Sequence, residues 1–152
     1  MSDQELMRAA ITVASKASAS GDVPVGAVIV NANGEIVATG HNERELLNDP
    51  TAHAEIVAIR RATEKLGEWR LENHTLVVTL EPCPMCAGAI AQSRISTVVF
   101  GAWDEKAGAV GSVWDLLRDP RSINKVEVRA GVLAEECSAL LIEFIQGVRK
   151  KD

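Results

Sequence analysis

The chain has 152 residues, nearly half of them hydrophobic, and a domain of this size buries roughly two-thirds of the surface that its unfolded form exposes, so one domain can form a core without disulfides. No apolar run approaches the roughly 18 residues needed to span a bilayer, and the first residues, with Asp3 and Glu5, carry no secretory signal; the expectation is a cytoplasmic protein. A net charge of −5 argues against coating nucleic acid through bulk electrostatics, so any such contact must be local.

Ser2, with Glu5 three residues on, reads as a capping box, and Leu6, Ala9, Ala10, Val13, Ala14 and Ala17 follow at helical spacing; a helix is expected over about residues 3 to 19. Val23 to Asn31 and Glu35 to His41 are β-branched runs flanking Asn33-Gly34, which predicts an antiparallel hairpin. Glu43 to Asn48 is polar and irregular. Asp49-Pro50 offers an N-cap with proline at the first helical position, so a helix is expected over Ala52 to Leu66, ended by Gly67. The alternation continues with strand Thr75 to Leu80, helix Pro84 to Ser93, strand Thr97 to Ala102, a looser segment through Trp114, strand Lys125 to Arg129 and helix Ala134 to about Arg149. Such alternation indicates an α/β sheet with helices on both faces, and no linker or repeat divides residues 1 to 152.

Three cysteines cannot all pair with one another, and Cys83 and Cys86 stand three apart, which in a reducing compartment points to metal or redox chemistry. Residues i and i+3 share one side of a helical turn, and a helix N-terminus favours the thiolate that zinc requires. His53 and Glu55 lie two apart, about 200° around a helix, so a site using both must sit off the helix end. His53, Cys83 and Cys86 would supply three ligands, leaving a fourth position open for water as catalytic zinc requires. Glu55 would then move protons: from the water, to a ring nitrogen, and onto departing ammonia. Taken singly, Cys-x-x-Cys is as often redox-active or half of a structural zinc site, and His-x-Glu is mostly chance. His41 and His74 have no partner at ligand spacing, and Cys137 reads as a core thiol in an apolar helix.

His53-Ala54-Glu55 and Pro82-Cys83-Pro84-Met85-Cys86 match the His-x-Glu and Pro-Cys-x-x-Cys signature of zinc nucleobase deaminases. With Asp49-Pro50-Thr51-Ala52 before the first half and Thr79-Leu80-Glu81 and Ala87-Gly88-Ala89-Ile90 around the second, the chain resembles the bacterial tRNA-specific adenosine deaminase family. The likeness spans roughly residues 6 to 144 and includes Pro24 to Val28, Ser93-Arg94-Ile95, Val98 to Ala102, Gly108-Ala109 and Gly131-Val132-Leu133.

The resemblance implies a cytidine-deaminase-like three-layer α/β/α sandwich around a mostly five-stranded mixed sheet, one zinc ion per subunit, and a homodimer. It implies conversion of adenosine to inosine at the wobble position of an arginine tRNA anticodon stem-loop, with neither DNA nor membrane as partner. By the same resemblance Asn42 and the Ala54 amide read the flipped base, Asp104, Lys106 and Asn124 lie on the RNA-contacting rim, and Phe144 is an aromatic contact in the last helix. The chain departs from the family at Ile145, where a second phenylalanine is usual, at Gln146-Gly147-Val148, which replace an arginine-rich stretch, and at Lys125, where histidine is usual. Trp103 and Arg149, Lys150 and Lys151 are candidate substitutes for the missing stacking surface and charge. Two rivals stand beside this reading: a deaminase of free guanine or cytosine with the same fold, and a zinc-stabilised RNA-binding module without catalysis, in which Glu55 has no role.

Overall fold

The computed structural model describes residues 1–151, with side chains through Val148, so the tail cations Arg149, Lys150 and Lys151 lie outside the described side chains. Five strands form one mixed sheet in the order β2-β1-β3-β4-β5. β1 (Gly26–Val30) pairs antiparallel with both β2 (Ile36–His41) and β3 (Thr75–Leu80), while β4 (Thr97–Ala102) runs parallel to β3 and to the short β5 (Glu127–Arg129). This is the expected sandwich.

The two faces separate by the period-2 alternation of the strands. Ala27, Ile29, Leu76, Val78, Val98 and Phe100 pack with α3 (Ala54–Leu66) and α4 (Pro84–Gln92), through Ala58, Ala62, Ala87 and Ile90. Val28, Val30, Val77 and Val99 pack on the other face with Met7, Ala10 and Val13 of α1 (Asp3–Ala14) and Cys137 of α5 (Ala134–Lys151). Each fully buried aliphatic side chain here contributes about 1.5–3 kcal/mol. Cys137 is 1% exposed with its thiol pushed up to about 11 by burial, a core residue as expected.

Several boundaries move, for local reasons. The first helix ends at Ala14 and continues to Ser20 as a tighter 3-10 segment, because the Ser15 and Ser18 hydroxyls donate back to carbonyls three residues earlier and Gly21 then turns left-handed. The Ser2 hydroxyl oxygen accepts from the Glu5 amide, as half of a capping box should. β1 starts at Gly26 rather than Val23, since Val25 closes a tight turn onto the Val23 carbonyl around Pro24, which has no N–H to pair.

The polar segment after β2 contains a one-turn helix, α2 (Arg44–Leu47), closed by left-handed Asn48. Asp49 does not cap the helix that follows: its carboxylate accepts from the amide and hydroxyl of Thr51 in a local turn, and α3 begins at Ala54 with His53 as an extended N-cap. Among the described residues no helix is long and apolar enough to cross a membrane.

Candidate active site

Two helix N-termini meet at the end of the sheet where β3 finishes. His53 is the N-cap of α3, and Cys83 is the N-cap of α4 with Pro84 at its first position and Cys86 in its first turn. Proline is tolerated there because the N–H it lacks has no helical partner. His53 Nδ1 lies 3.6 Å from Cys83 Sγ and 3.5 Å from Cys86 Sγ, and the three donor atoms all fall within 4.8 Å of one another. Tetrahedral zinc, with Zn–N near 2.0 Å and Zn–S near 2.3 Å, requires nitrogen and sulfur about 3.6 Å apart. Donor chemistry and spacing therefore fit zinc, and imidazole with two thiolates disfavours a hard cation.

The Cys83 thiol is held down to about 4, first by its bond with Cys86, against burial, with further help from His53. Cys86 is pushed upward by the Cys83 thiolate and by burial. His53 is raised chiefly by its bond to Cys83, against burial, and by the nearby Glu55 carboxylate. Glu55, in the first turn of α3, is 4% exposed; burial raises its carboxyl, while its own amide, His53 and the Cys86 thiol oppose the rise. Since His53 precedes the helix in extended backbone, the two side chains reach one place despite their spacing.

A cavity of about 200 Å³ opens beside these groups, lined by Val23, Asn42, Arg44, Glu81, Asp104 and Ala107 together with His53, Glu55 and Cys83. A larger cavity, about 390 Å³, lies between α3 and the hairpin loop, but its His74 turns back onto the Glu72 carbonyl and it brings no acid–base set together. The chemistry belongs to the smaller one.

Asn42 is 8% exposed; its Oδ1 accepts from the Ala54 amide at 3.1 Å and its Nδ2 donates to the Val23 carbonyl at 3.0 Å. The expected base-reading pair is thus brought together, each bonded to the other. Asp104 lines the cavity, yet one carboxylate oxygen accepts from the Lys106 and Ala107 amides and shapes its own loop, leaving the Lys106 side chain exposed. Phe144 is half-buried in a groove with Ser15, Ser18 and Pro24, adjoining the cavity through the Val23–Val25 segment. Asn124 is not brought to the cavity: its Nδ2 donates to the Ile95 carbonyl ahead of β4, about 20 Å away at the opposite end of the strands.

Three contributors have no motif of their own. Arg44 is the one lysine or arginine among the described residues lining the cavity, and lay in a segment that reads as irregular. Buried Asp22 accepts from the amides of Glu45 and Leu46 and from the Ser20 hydroxyl, anchoring α2. Glu81 is 2% exposed just beyond the end of β3; the Thr79-Leu80-Glu81 stretch beside the ligand motif marks its place in the family likeness but not its role.

An α/β/α sandwich with a His-Cys-Cys set and a buried glutamate beside a cavity of about 200 Å³ defines the zinc-dependent deaminase class. The model of the cytidine and deoxycytidylate deaminase zinc-binding region matches residues 1–102. A tRNA-specific adenosine deaminase of Bacillus subtilis (strain 168) is 51% identical over 149 residues, covering 98% of this chain and 92% of that protein. A solved tRNA:A34 deaminase, studied for A-to-I editing at the wobble position, superposes with a TM-score of 0.86 at 42% identity, covering 90% of this chain and 99% of that one. A guanine deaminase from Nitrosomonas europaea gives 0.78 at 25% identity, covering 93% and 83%. The chain belongs to the cytidine and deoxycytidylate deaminase family, in its tRNA-specific adenosine deaminase branch.

Proposed function

We propose that this chain acts as a single-domain hydrolytic tRNA adenosine deaminase, converting the wobble-position adenosine of a tRNA anticodon, an arginine one by the family likeness, to inosine with release of ammonia. The carrying observation is the buried Glu55 beside the His53, Cys83 and Cys86 donor atoms in a cavity of about 200 Å³, below the roughly 300–1,000 Å³ of drug-sized sites and suited to one extruded base. The choice of base rests on relatives such as the Bacillus subtilis protein, 51% identical over nearly the whole chain.

His53, Cys83 and Cys86 would hold the metal. Zinc, when bound, supplies a Lewis acid that brings the ionisation of water to about pH 7. Glu55, with its proton affinity raised by burial, takes a proton from water and delivers it to the ring nitrogen as the hydroxide adds to the amine-bearing carbon; it then carries the remaining hydroxyl proton to the amine, and the carbon–nitrogen bond breaks to release ammonia and leave the carbonyl of inosine. Asn42 and the Ala54 amide exchange their mutual bond for the base edge, Asn42 keeping the second hydrogen of Nδ2 for it. Arg44 supplies local cationic grip at the cavity, and Lys106, Asp104 and Phe144 extend the RNA-facing rim; Asn124 would contribute only from a partner copy.

Homodimerisation is part of the same reading, supported by an apolar face beside α4 where Met85, Leu116 and Ile123 are exposed. So is a cytoplasmic location, where the tRNA substrate resides.

The test is turnover by zinc-loaded protein on an anticodon stem-loop with adenosine at the wobble position, against free guanine and free cytosine. Inosine from the stem-loop is expected. Ammonia from a free base with none from the stem-loop would assign a small-molecule deaminase, and zinc-loaded protein inert on all three would leave an RNA-binding module. The logarithm of stem-loop affinity should fall linearly with the logarithm of salt concentration, and Arg44→Ala should reduce that slope by about 0.7 if the guanidinium meets one phosphate.

A further inference from the structure

Glu81 makes no hydrogen bond to the metal-ligand atoms, yet among the described residues its carboxylate accepts the most hydrogen bonds. Oε1 accepts from the Asp104 amide at 3.0 Å, and Oε2 accepts from the Val110 and Ser112 amides, each at 3.0 Å. The Ser112 hydroxyl donates to the same carboxylate. These partners span a loop whose strand-like feature is an isolated bridge between Val110 and Asp115; bonds within the loop, from Gly108 to Asp104, Gly111 to Trp114 and Leu116 to Ala109, shape it locally, and Glu81 ties that local structure to the end of β3. The segment is held next to the ligand strand at two further points: the Glu81 amide donates to the Ala102 carbonyl, and the Ala109 amide donates to the Pro82 carbonyl. Gly108 packs directly on the carboxyl group, where a Cβ would collide with it. Hydrogen bonds to an ionised acceptor are about twice as strong as neutral ones, and four converge here. The bonds hold the carboxyl below the usual carboxylate range although burial alone would raise it.

The loop contributes Asp104 and Ala107 to the wall of the cavity that Glu55 and His53 also line. Glu81 stands two residues before Cys83, so it connects the wall to the backbone that carries a metal ligand. We propose that Glu81 is a positioning residue for substrate: it sets the distance between the Asp104–Ala107 segment and the catalytic groups, and thereby which base the cavity accepts and how tightly. A carboxamide cannot replace it, because its NH2 group would face amide donors.

This rests on the deaminase reading, and the experiment separates the two. Glu81→Gln and Gly108→Ala, the second pressing on the same carboxylate, are compared with wild type, alone and combined, for zinc content, for stem-loop KM and kcat, and for amide hydrogen exchange of residues 104–112. Both single variants are expected to bind zinc fully and to raise KM about tenfold with kcat changed less than threefold. The double variant should be no worse than the more severe single one, and exchange at Val110 and Ser112 should quicken at least tenfold in each. A KM at the wild-type value in zinc-loaded Glu81→Gln, or unchanged exchange at Val110 and Ser112, overturns the proposal, as does an equal loss in KM and kcat through depleted zinc. A wild type inert on the stem-loop overturns the functional reading instead, and the exchange measurement then still decides whether Glu81 sets the wall.

Discussion

Gly40 offers a test of how the sheet aims the catalytic helix. It lies in β2 directly beneath α3, and a Cβ built on it would fall 2.6 Å from both the Ala54 carbonyl oxygen and the Ala58 amide nitrogen. Ordinary carbon contacts lie near 3.5 Å, so Gly40→Ala must lift the N-terminal half of α3 by about 1 Å. Both neighbours are backbone atoms, and no side-chain rotation relieves the clash. Overpacking of this kind costs about 1–3 kcal/mol. The displaced turn also carries the Ala54 amide, Glu55 and the His53 cap, while Cys83 and Cys86 stay with α4. A misplacement of about 1 Å at reacting groups costs on the order of 100-fold in rate. Urea unfolding of Gly40→Ala should show the stability loss, and kcat/KM on the stem-loop should fall by about two orders of magnitude. Gly147→Ala is the control: no atom lies within 4 Å of its added Cβ, and in a helix the change should be neutral or stabilising by up to about 1 kcal/mol. Wild-type stability together with wild-type kcat/KM in Gly40→Ala would refute the argument that close β2–α3 approach sets the site.

Glu55→Gln should retain zinc, since the ligand atoms are untouched, and should hold or raise its melting temperature because a buried ionisable group is gone; turnover should fall by roughly 10²–10⁴-fold, read by ammonia release beside metal analysis. Substantial activity in that variant would dismiss Glu55 as the proton carrier. Burial would raise the Asp22 carboxyl, but the bonds from the Glu45 amide, the Ser20 hydroxyl and the Leu46 amide outweigh it and leave it lowered. A lowered carboxylate stabilises the fold above its unfolded pKa of about 4 and loses that contribution as pH falls through the folded value. Asp22→Asn should therefore cost about 1–3 kcal/mol at pH 7 and show a shallower fall in stability on acidification than wild type, measured by urea melts between pH 7 and pH 3. Parallel pH curves for the two proteins would count against an ionised Asp22.

What could be read from the sequence follows from how far apart the cooperating residues lie. β3 and β4 are legible to the residue because each is a short run rich in valine and threonine and buried on both faces, and the ligand set is legible because Cys83 and Cys86 share a turn. The N-terminus of α3 was misplaced because Asp49 and Thr51 satisfy each other locally, so a cap-like residue spent its carboxylate on a turn and released His53 into the extended position that the metal site needs. Asn42 was legible only through its family likeness; its partners Val23 and Ala54 lie 19 and 12 residues away. Glu81 binds amides 23 to 31 residues further on, and Asp22 binds amides 23 and 24 residues on, distances at which no periodicity or spacing rule operates. The ligand atoms and Glu55 are thus local features of two helix starts, whereas α2 and the loop after Asp104, which bring Arg44, Asp104 and Ala107 to the cavity, are tied down by two buried carboxylates acting across the chain. Substitutions that leave the motif intact can therefore still alter which base the cavity accepts.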